Sequence, residues 1–207
     1  MEYKEKWLKW AIELQSLSQS ALAYCKDPFD IERFHRIREI SAEMMAAHTD
    51  LPMEKVKDLF CGETGYQTPK LDCRAAVIRE DKILLVQENS GLWALPGGWM
   101  DIGLTVGENT AKEAKEEAGV DVCPQRIIAV QDWAKRNHSG PAAHSICKIF
   151  VLCTLLGGEF QKNIETTARG WFSLDDLPAL AVEKTNRDQI EMCFAASAAQ
   201  HWETIFD

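Results

Sequence analysis

Glu113, Glu116 and Glu117 are spaced i, i+3 and i+4, and they follow a glycine loop, Gly97-Gly98-Trp99-Met100-Asp101-Ile102-Gly103. On a helix advancing about 100° per residue these three side chains share one face. Carboxylates so placed repel one another, and the repulsion grows once they are partly buried. A hard divalent cation is the simplest compensator. Mg²⁺ takes carboxylate and water oxygens and is usually held by one or two protein carboxylates together with substrate phosphates. A glycine loop followed by a three-glutamate helix is therefore read as a site for a divalent metal and a pyrophosphate; Mn²⁺ suits the same oxygen ligands as Mg²⁺.

The helix that must carry these acids has a legible start. Thr105 and Glu108 form a Thr-x-x-Glu capping box, so the helix begins at about residue 105. Its small residues, Gly107, Ala111, Ala114 and Ala118, make a second face suited to close packing on a sheet. Glu108 lies four residues before Lys112, in the favourable order for a helix ion pair, and a Glu108–Lys112 pair is expected.

From Gly98 to Val120 the chain resembles the Nudix box, G-x5-E-x7-R-E-U-x-E-E-x-G-U, with U a bulky apolar residue. The opening glycine, the three glutamates and the closing Gly119-Val120 match, and Leu95-Pro96-Gly97-Gly98-Trp99 resembles the usual lead-in. Leu104 stands where the pattern has its first glutamate, Lys112 where it has arginine, and Ala114 at the apolar position. In the family the arginine orients a catalytic glutamate. Lysine lacks the planar fork that makes such contacts bidentate, and Glu108 is read as the substitute for the acid missing at Leu104.

The resemblance implies an α/β/α sandwich with a mixed sheet and metal-assisted hydrolysis of a pyrophosphate bond. It assigns the metal to Glu113, Glu116, Glu117 and the Gly97 carbonyl, places Gly98 at the substrate, and makes Lys112 a catalytic position. Family members often carry a further glutamate in a later loop, as metal ligand or general base; Glu165 is the candidate, a plain loop carboxylate the alternative. Arg74, inside an otherwise apolar strand, needs a partner: either phosphate, or an acid such as Asp72 or a box glutamate. Trp133, and Tyr24 in the N-terminal part, offer rings on which a base could stack, or else they are core or interface aromatics.

Helical periodicity marks two runs, around Trp7–Leu17 and Phe34–Met45, separated by Lys26-Asp27-Pro28, with a short third helix following Leu51-Pro52 through Phe60. Strand-like segments begin only at Leu71, after a linker. The expected domains are a helical one over residues 1–66 and a hydrolase domain over 67–207. Asp72–Ile78 and Lys82–Gln87 form a hairpin turning at Arg79-Glu80-Asp81; Ile127–Trp133, Ser145–Leu155 and Gly170–Ser173 are later strands, and a last helix spans Asn186 to about Ala199. The overall class is α/β (α+β) with a small all-helical N-terminal domain.

That N-terminal segment, with Asp27-Pro28-Phe29-Asp30, Glu32-Arg33-Phe34-His35-Arg36-Ile37-Arg38-Glu39 and Gly65-Tyr66-x-Thr68-Pro69-Lys70, resembles the extra domain of a Nudix group acting on nucleoside diphosphates linked to another moiety. CDP-choline and ADP-ribose pyrophosphatases belong there. The implied products are a nucleoside monophosphate and a phosphorylated partner, and the exposed apolar stripes suggest a homodimer. Two other functions fit the same residues less well: a catalytically reduced Nudix sensor with a DNA-binding domain, and a cleaner of oxidised deoxynucleotides.

A net charge of −9 argues against generic binding to nucleic acid or anionic membranes, and acids intersperse the cluster Arg33, His35, Arg36, Arg38. No apolar run approaches membrane-spanning length and Met1–Lys6 does not resemble a secretion signal, so a cytoplasmic location is expected. The seven cysteines include no C-x-x-C pair and are expected as free thiols.

Overall fold

The computed structural model describes residues 6–49, 52–138 and 145–207. The described chain forms two compact units, one ending at Pro69 and one starting at Lys70. The first is helical: α1 (Lys6–Tyr24), α2 (Pro28–Ala47) and α3 (Met53–Cys61). Pro28 opens α2, where its missing N–H is no loss, and the Asp27 carboxylate caps the N–H groups of Phe29 and Asp30. Leu51, expected to lead into the third helix, lies outside the described residues. Ala11, Ala42, Val56 and Phe60 form the core of this unit, and Arg38 ties its helices by donating to Gln15 Oε1 (3.0 Å) and the Cys61 carbonyl (2.6 Å). The basic cluster is a paired surface: Arg33 meets Asp30, and Arg36 meets Glu39 and Glu43.

The second unit is a mixed sheet between helices. Its strands are β1 (Lys70–Arg79), β2 (Lys82–Glu88), β3 (Trp93–Ala94), β4 (Asp121–Asp132), β5 (Ile146–Gly157), β6 (Thr166–Phe172) and β7 (Ile205–Phe206). The order is β3-β2-β1-β5-β4-β7, with β6 also paired to β2; β1–β5 and β4–β7 are parallel and the other pairs antiparallel. Helix α4 (Val106–Ala118) covers one face, where Ala114 and Ala118 pack with Ala75, Val77 and Val151. Helix α6 (Arg187–Ala198) covers the other, where Ile190, Cys193 and Ala196 pack with Ala76, Leu85 and Phe150. The alternation of β1 supplies both faces, as period-2 side chains must. A one-turn helix, α5 (Trp133–Arg136), follows β4.

Most expected elements are present, with informative differences. The hairpin turns on Glu80 and Asp81, both at positive φ (51° and 53°), as a two-residue type I′ connection requires. Strand β4 begins at Asp121 rather than Ile127, because Pro124 is accommodated at a register shift instead of ending the strand. Trp133 belongs to α5, not to the strand, since the Asp132 side chain caps Lys135 N–H. β6 starts at Thr166, ahead of the expected Gly170, and β3 and β7 are too short to leave a periodic signature. The cysteines are free thiols, and among the described residues no helix is long and apolar enough to cross a membrane.

Candidate functional site

Helix α4 begins as the capping box requires: Thr105 accepts from Glu108 N–H, and Glu108 accepts from Thr105 N–H (2.9 Å) and Oγ1 (2.7 Å). Glu108 is thereby committed to the cap, which corrects the expected Glu108–Lys112 pair. The Lys112 ammonium instead bridges Asp101 (3.1 Å), Glu113 (3.2 Å) and Glu116 (2.8 Å). Glu116 and Asp101 raise its pKa against a small opposing effect of burial. Asp101, from the glycine loop, is therefore the acid that sits where Glu108 was expected, and Leu104 lies before α4, off the acidic face.

The glycine loop is held on two sides. Cys73 and Ala75 of β1 donate to the carbonyls of Gly98 (2.9 Å) and Pro96 (2.8 Å), the residues on either side of Gly97. Gly97 N–H donates to Glu117 Oε2 (2.8 Å). Buried Asn109 braces the rest, accepting from Asp101 N–H (2.9 Å) and donating to the Trp99 carbonyl (3.2 Å). Gly98 packs against the Glu113 carboxylate, whose Oε2 would lie 3.0 Å from a Cβ added there.

Burial pushes the Glu117 carboxyl up to about 7, against the pull of the Gly97 N–H and the Arg74 guanidinium, while Glu113 and Glu165 push it further. Burial also raises Glu113, opposed by Lys112 and assisted by Glu116 and Glu165. Glu165 is thus electrostatically part of the cluster. It is placed there by Asn163, whose Oδ1 accepts from Glu165 N–H (2.9 Å) and Thr166 N–H (2.8 Å) and whose amide donates to the Glu116 carbonyl (2.7 Å). Thr166 adds a bond to the Glu117 carbonyl (2.7 Å).

A cavity of about 790 Å³ gathers these groups. Its wall includes Gly97, Gly98, Asp101, Lys112, Glu113, Glu116, Glu117 and Glu165, and also Arg74, Trp133 and Lys148. Arg74 is buried and takes the salt-bridge alternative, meeting Asp72 through Nε (2.7 Å) and Nη2 (2.6 Å). Burial opposes its charge, yet Asp72 keeps its pKa raised. Asp72→Asn would leave this guanidinium without its counter-ion. Urea denaturation is expected to show a loss of roughly 3–5 kcal/mol, the usual cost of breaking a buried pair from one side; a loss within about 1 kcal/mol, the range of a surface pair, would refute the assignment.

Trp133 is fixed at the wall by Nε1–H donation to the Glu183 carbonyl (2.6 Å) and by stacking on His138 (4.6 Å between centroids, 21° between planes). The buried amides of Gln131, Asn137 and Gln189 tie this segment to α6. Tyr24 lies in the helical unit, exposed at the end of α1. Among the described residues no three acidic, histidine or cysteine side chains converge closely enough to hold a cation between them, because the Lys112 ammonium lies between Glu113 and Glu116 while Glu117 is bonded to Gly97. The donor set nevertheless fits a hard divalent ion: all carboxylate or carbonyl oxygen, with two carboxyls whose charge burial disfavours and a cationic Lys112 already bridging the acids.

Asp101, Asn109, Asn163 and Lys148 were not singled out by the sequence. The first two occupy box positions of unrestricted type, Asn163 is recognisable only as a turn-forming residue, and Lys148 is one charge inside an apolar strand.

A family model described as the NUDIX domain matches residues 69–193, and one described as a UDP-X-like, N-terminal oligomerisation domain matches residues 5–60. A putative ADP-ribose pyrophosphatase of Bacillus subtilis is 41% identical over 208 residues, covering all of both chains. An ADP-ribose pyrophosphatase structure from Streptococcus suis is 56% identical, covering 68% of this chain and all of its own, with TM-score 0.64. A UDP-X diphosphatase structure is 30% identical, covering 97% of this chain and 98% of its own, with TM-score 0.63.

Proposed function

The chain belongs to the Nudix hydrolase family, and from that premise we propose that it cleaves the pyrophosphate bond of a nucleoside diphosphate linked to another moiety, of the ADP-ribose or CDP-choline type. The products are a nucleoside monophosphate and a phosphorylated partner. One observation carries the reading: a single cavity brings Glu113, Glu116, Glu117, Glu165 and the glycine loop together with basic and aromatic side chains. Acids alone would repel a diphosphate; acids able to take a divalent ion, beside cations and an indole, suit a phosphorylated compound bearing a ring. The names of the Bacillus and Streptococcus relatives favour the ADP-ribose arm.

Hydrolases of this family are generally divalent-metal dependent. Glu113, Glu116, Glu117 and the Gly97 carbonyl are the proposed ligands for Mg²⁺ or Mn²⁺, which when bound supplies neutralisation of phosphate charge and activation of water. The protein's own groups do the rest. Asn163 and Thr166 hold Glu165 toward the cluster, where it serves as the further ligand or the proton acceptor for water. Lys112, in the arginine position of the box, orients Glu113 and Glu116. Trp133 offers its indole to the base, Gly98 leaves room at the carboxylates, and Arg74, paired with Asp72, shapes the phosphate side of the cavity.

A panel of ADP-ribose, CDP-choline, NADH, dinucleoside polyphosphates and dNTPs, read by phosphatase-coupled phosphate release, tests the substrate class. Turnover of the linked diphosphates with little on dNTPs is expected; preference for dNTPs would overturn it. We also propose that the helical unit forms a homodimer. Its family model is described as an oligomerisation domain, and Trp10, Leu17, Tyr24 and Phe29 are exposed on it. Light scattering of the full chain at twice the monomer mass is expected, and a monomer would refute it.

A further inference from the structure

Lys148 is a costly residue for a strand centre. It is 1% exposed, and on β5 it lies in register between Asp72 of β1 and Gln131 of β4, yet it lines the cavity. The other cations in that wall are committed to carboxylates: Arg74 to Asp72, Lys112 to Asp101, Glu113 and Glu116, and Lys184 to Glu88 (2.6 Å). Among the described wall cations Lys148 alone bonds to no carboxylate; its acceptor is the neutral Lys184 carbonyl. An ammonium carries three donors, so two remain for a group entering the cavity.

From this placement we propose that Lys148 is a substrate-binding residue that donates to a phosphoryl oxygen of the bound diphosphate. The inference rests on the functional reading above and deepens it. Its electrostatics agree. Burial pushes Lys148 down to about 7, and Arg74 from β1 and Lys184 from the loop before α6 push the same way, against Asp72 and Glu183; Gln131 on β4 is neutral. An arriving phosphoryl group supplies the missing anion, so the amine takes up a proton as the ligand binds. Charge-assisted bonds of this kind are the strong ones, and a buried lysine without an anion is otherwise a liability to the fold.

The test uses the full chain and methylenediphosphonate, whose P–C–P bridge resists hydrolysis. Calorimetric titrations are run with Mg²⁺ near pH 8, in two buffers of different ionisation enthalpy, on wild type, Lys148→Gln and Lys148→Met. Gln keeps a donor for the Lys184 carbonyl and carries the conclusion if Met fails to fold. The expected result is roughly tenfold or more weaker binding in the variants, with wild type taking up more protons per ligand than either. A purely structural lysine would leave the proton count unchanged. Binding in Lys148→Gln within about threefold of wild type, with equal proton uptake, overturns the inference and leaves the functional reading standing. A wild type that binds no diphosphonate and hydrolyses no linked diphosphate removes that reading, and Lys148 with it.

Discussion

Glu117→Gln is expected to lower kcat by about a thousandfold while leaving the chain folded and, in EDTA, at least as heat-stable as wild type. The carboxylate lies in surroundings that disfavour its charge, beside Glu113 and Glu165, and burial holds its proton up to about 7. A carboxamide keeps an oxygen for the Gly97 N–H, which the wild-type acid binds at 2.8 Å, and removes the repulsion. Stability is therefore conserved or improved. Activity is not, because a neutral amide is a poor ligand for a hard cation. Loss of roughly 4 kcal/mol of charge stabilisation, at about 1.4 kcal/mol per decade, gives the stated factor. Steady-state kinetics at saturating Mg²⁺ and melting curves in EDTA check both halves; near-normal kcat would mean that Glu117 only packs.

The second large effect is expected at Gly97. Its φ is 145°, and an added Cβ would lie 2.0 Å from the Cys73 carbonyl oxygen and 2.9 Å from Arg74 Cα. Both atoms are backbone of the central strand β1, so the loop must move. Gly97→Ala should destabilise by about 2–3 kcal/mol and reduce kcat strongly, because the shift breaks the bonds that register the loop on β1 and on Glu117. Gly98→Ala is the informative contrast. There the obstacle is Glu113 Oε2 at 3.0 Å, the end of a side chain. That variant should lose kcat by displacing the carboxylate while its stability changes by less than about 1 kcal/mol. Equal stability losses in the two would contradict the placement.

The acidic helix was legible because its spacing, its cap and its closing glycine all depend on residues within one short segment. Gly119, at φ 68°, ends α4 in the left-handed conformation that favours glycine. Contacts between segments were not legible. Lys112 finds Asp101 only because the glycine loop folds back on α4, and Asn163 reaches the Glu116 carbonyl across a long sequence separation. Glu108 shows the hazard of a local rule: the same carboxylate satisfied two patterns, capping box and i, i+4 pair, and the cap took it. Arg74 had two readings from sequence, and the adjacent register of Asp72 on the same strand face supplied the ion pair. Lys148 had none, since a single charge in an apolar strand does not reveal whether its end reaches a cavity.

Metal-dependent cleavage of a linked nucleoside diphosphate is tested most directly by incubating the full chain with ADP-ribose and following the products by phosphorus NMR, first in EDTA and then as Mg²⁺ is added. No change is expected in EDTA; with Mg²⁺ the diphosphate signals should give way to two phosphomonoesters, AMP and ribose 5-phosphate, with Glu116→Gln silent throughout. Cleavage that proceeds equally in EDTA, or that survives in Glu116→Gln at saturating Mg²⁺, would contradict it.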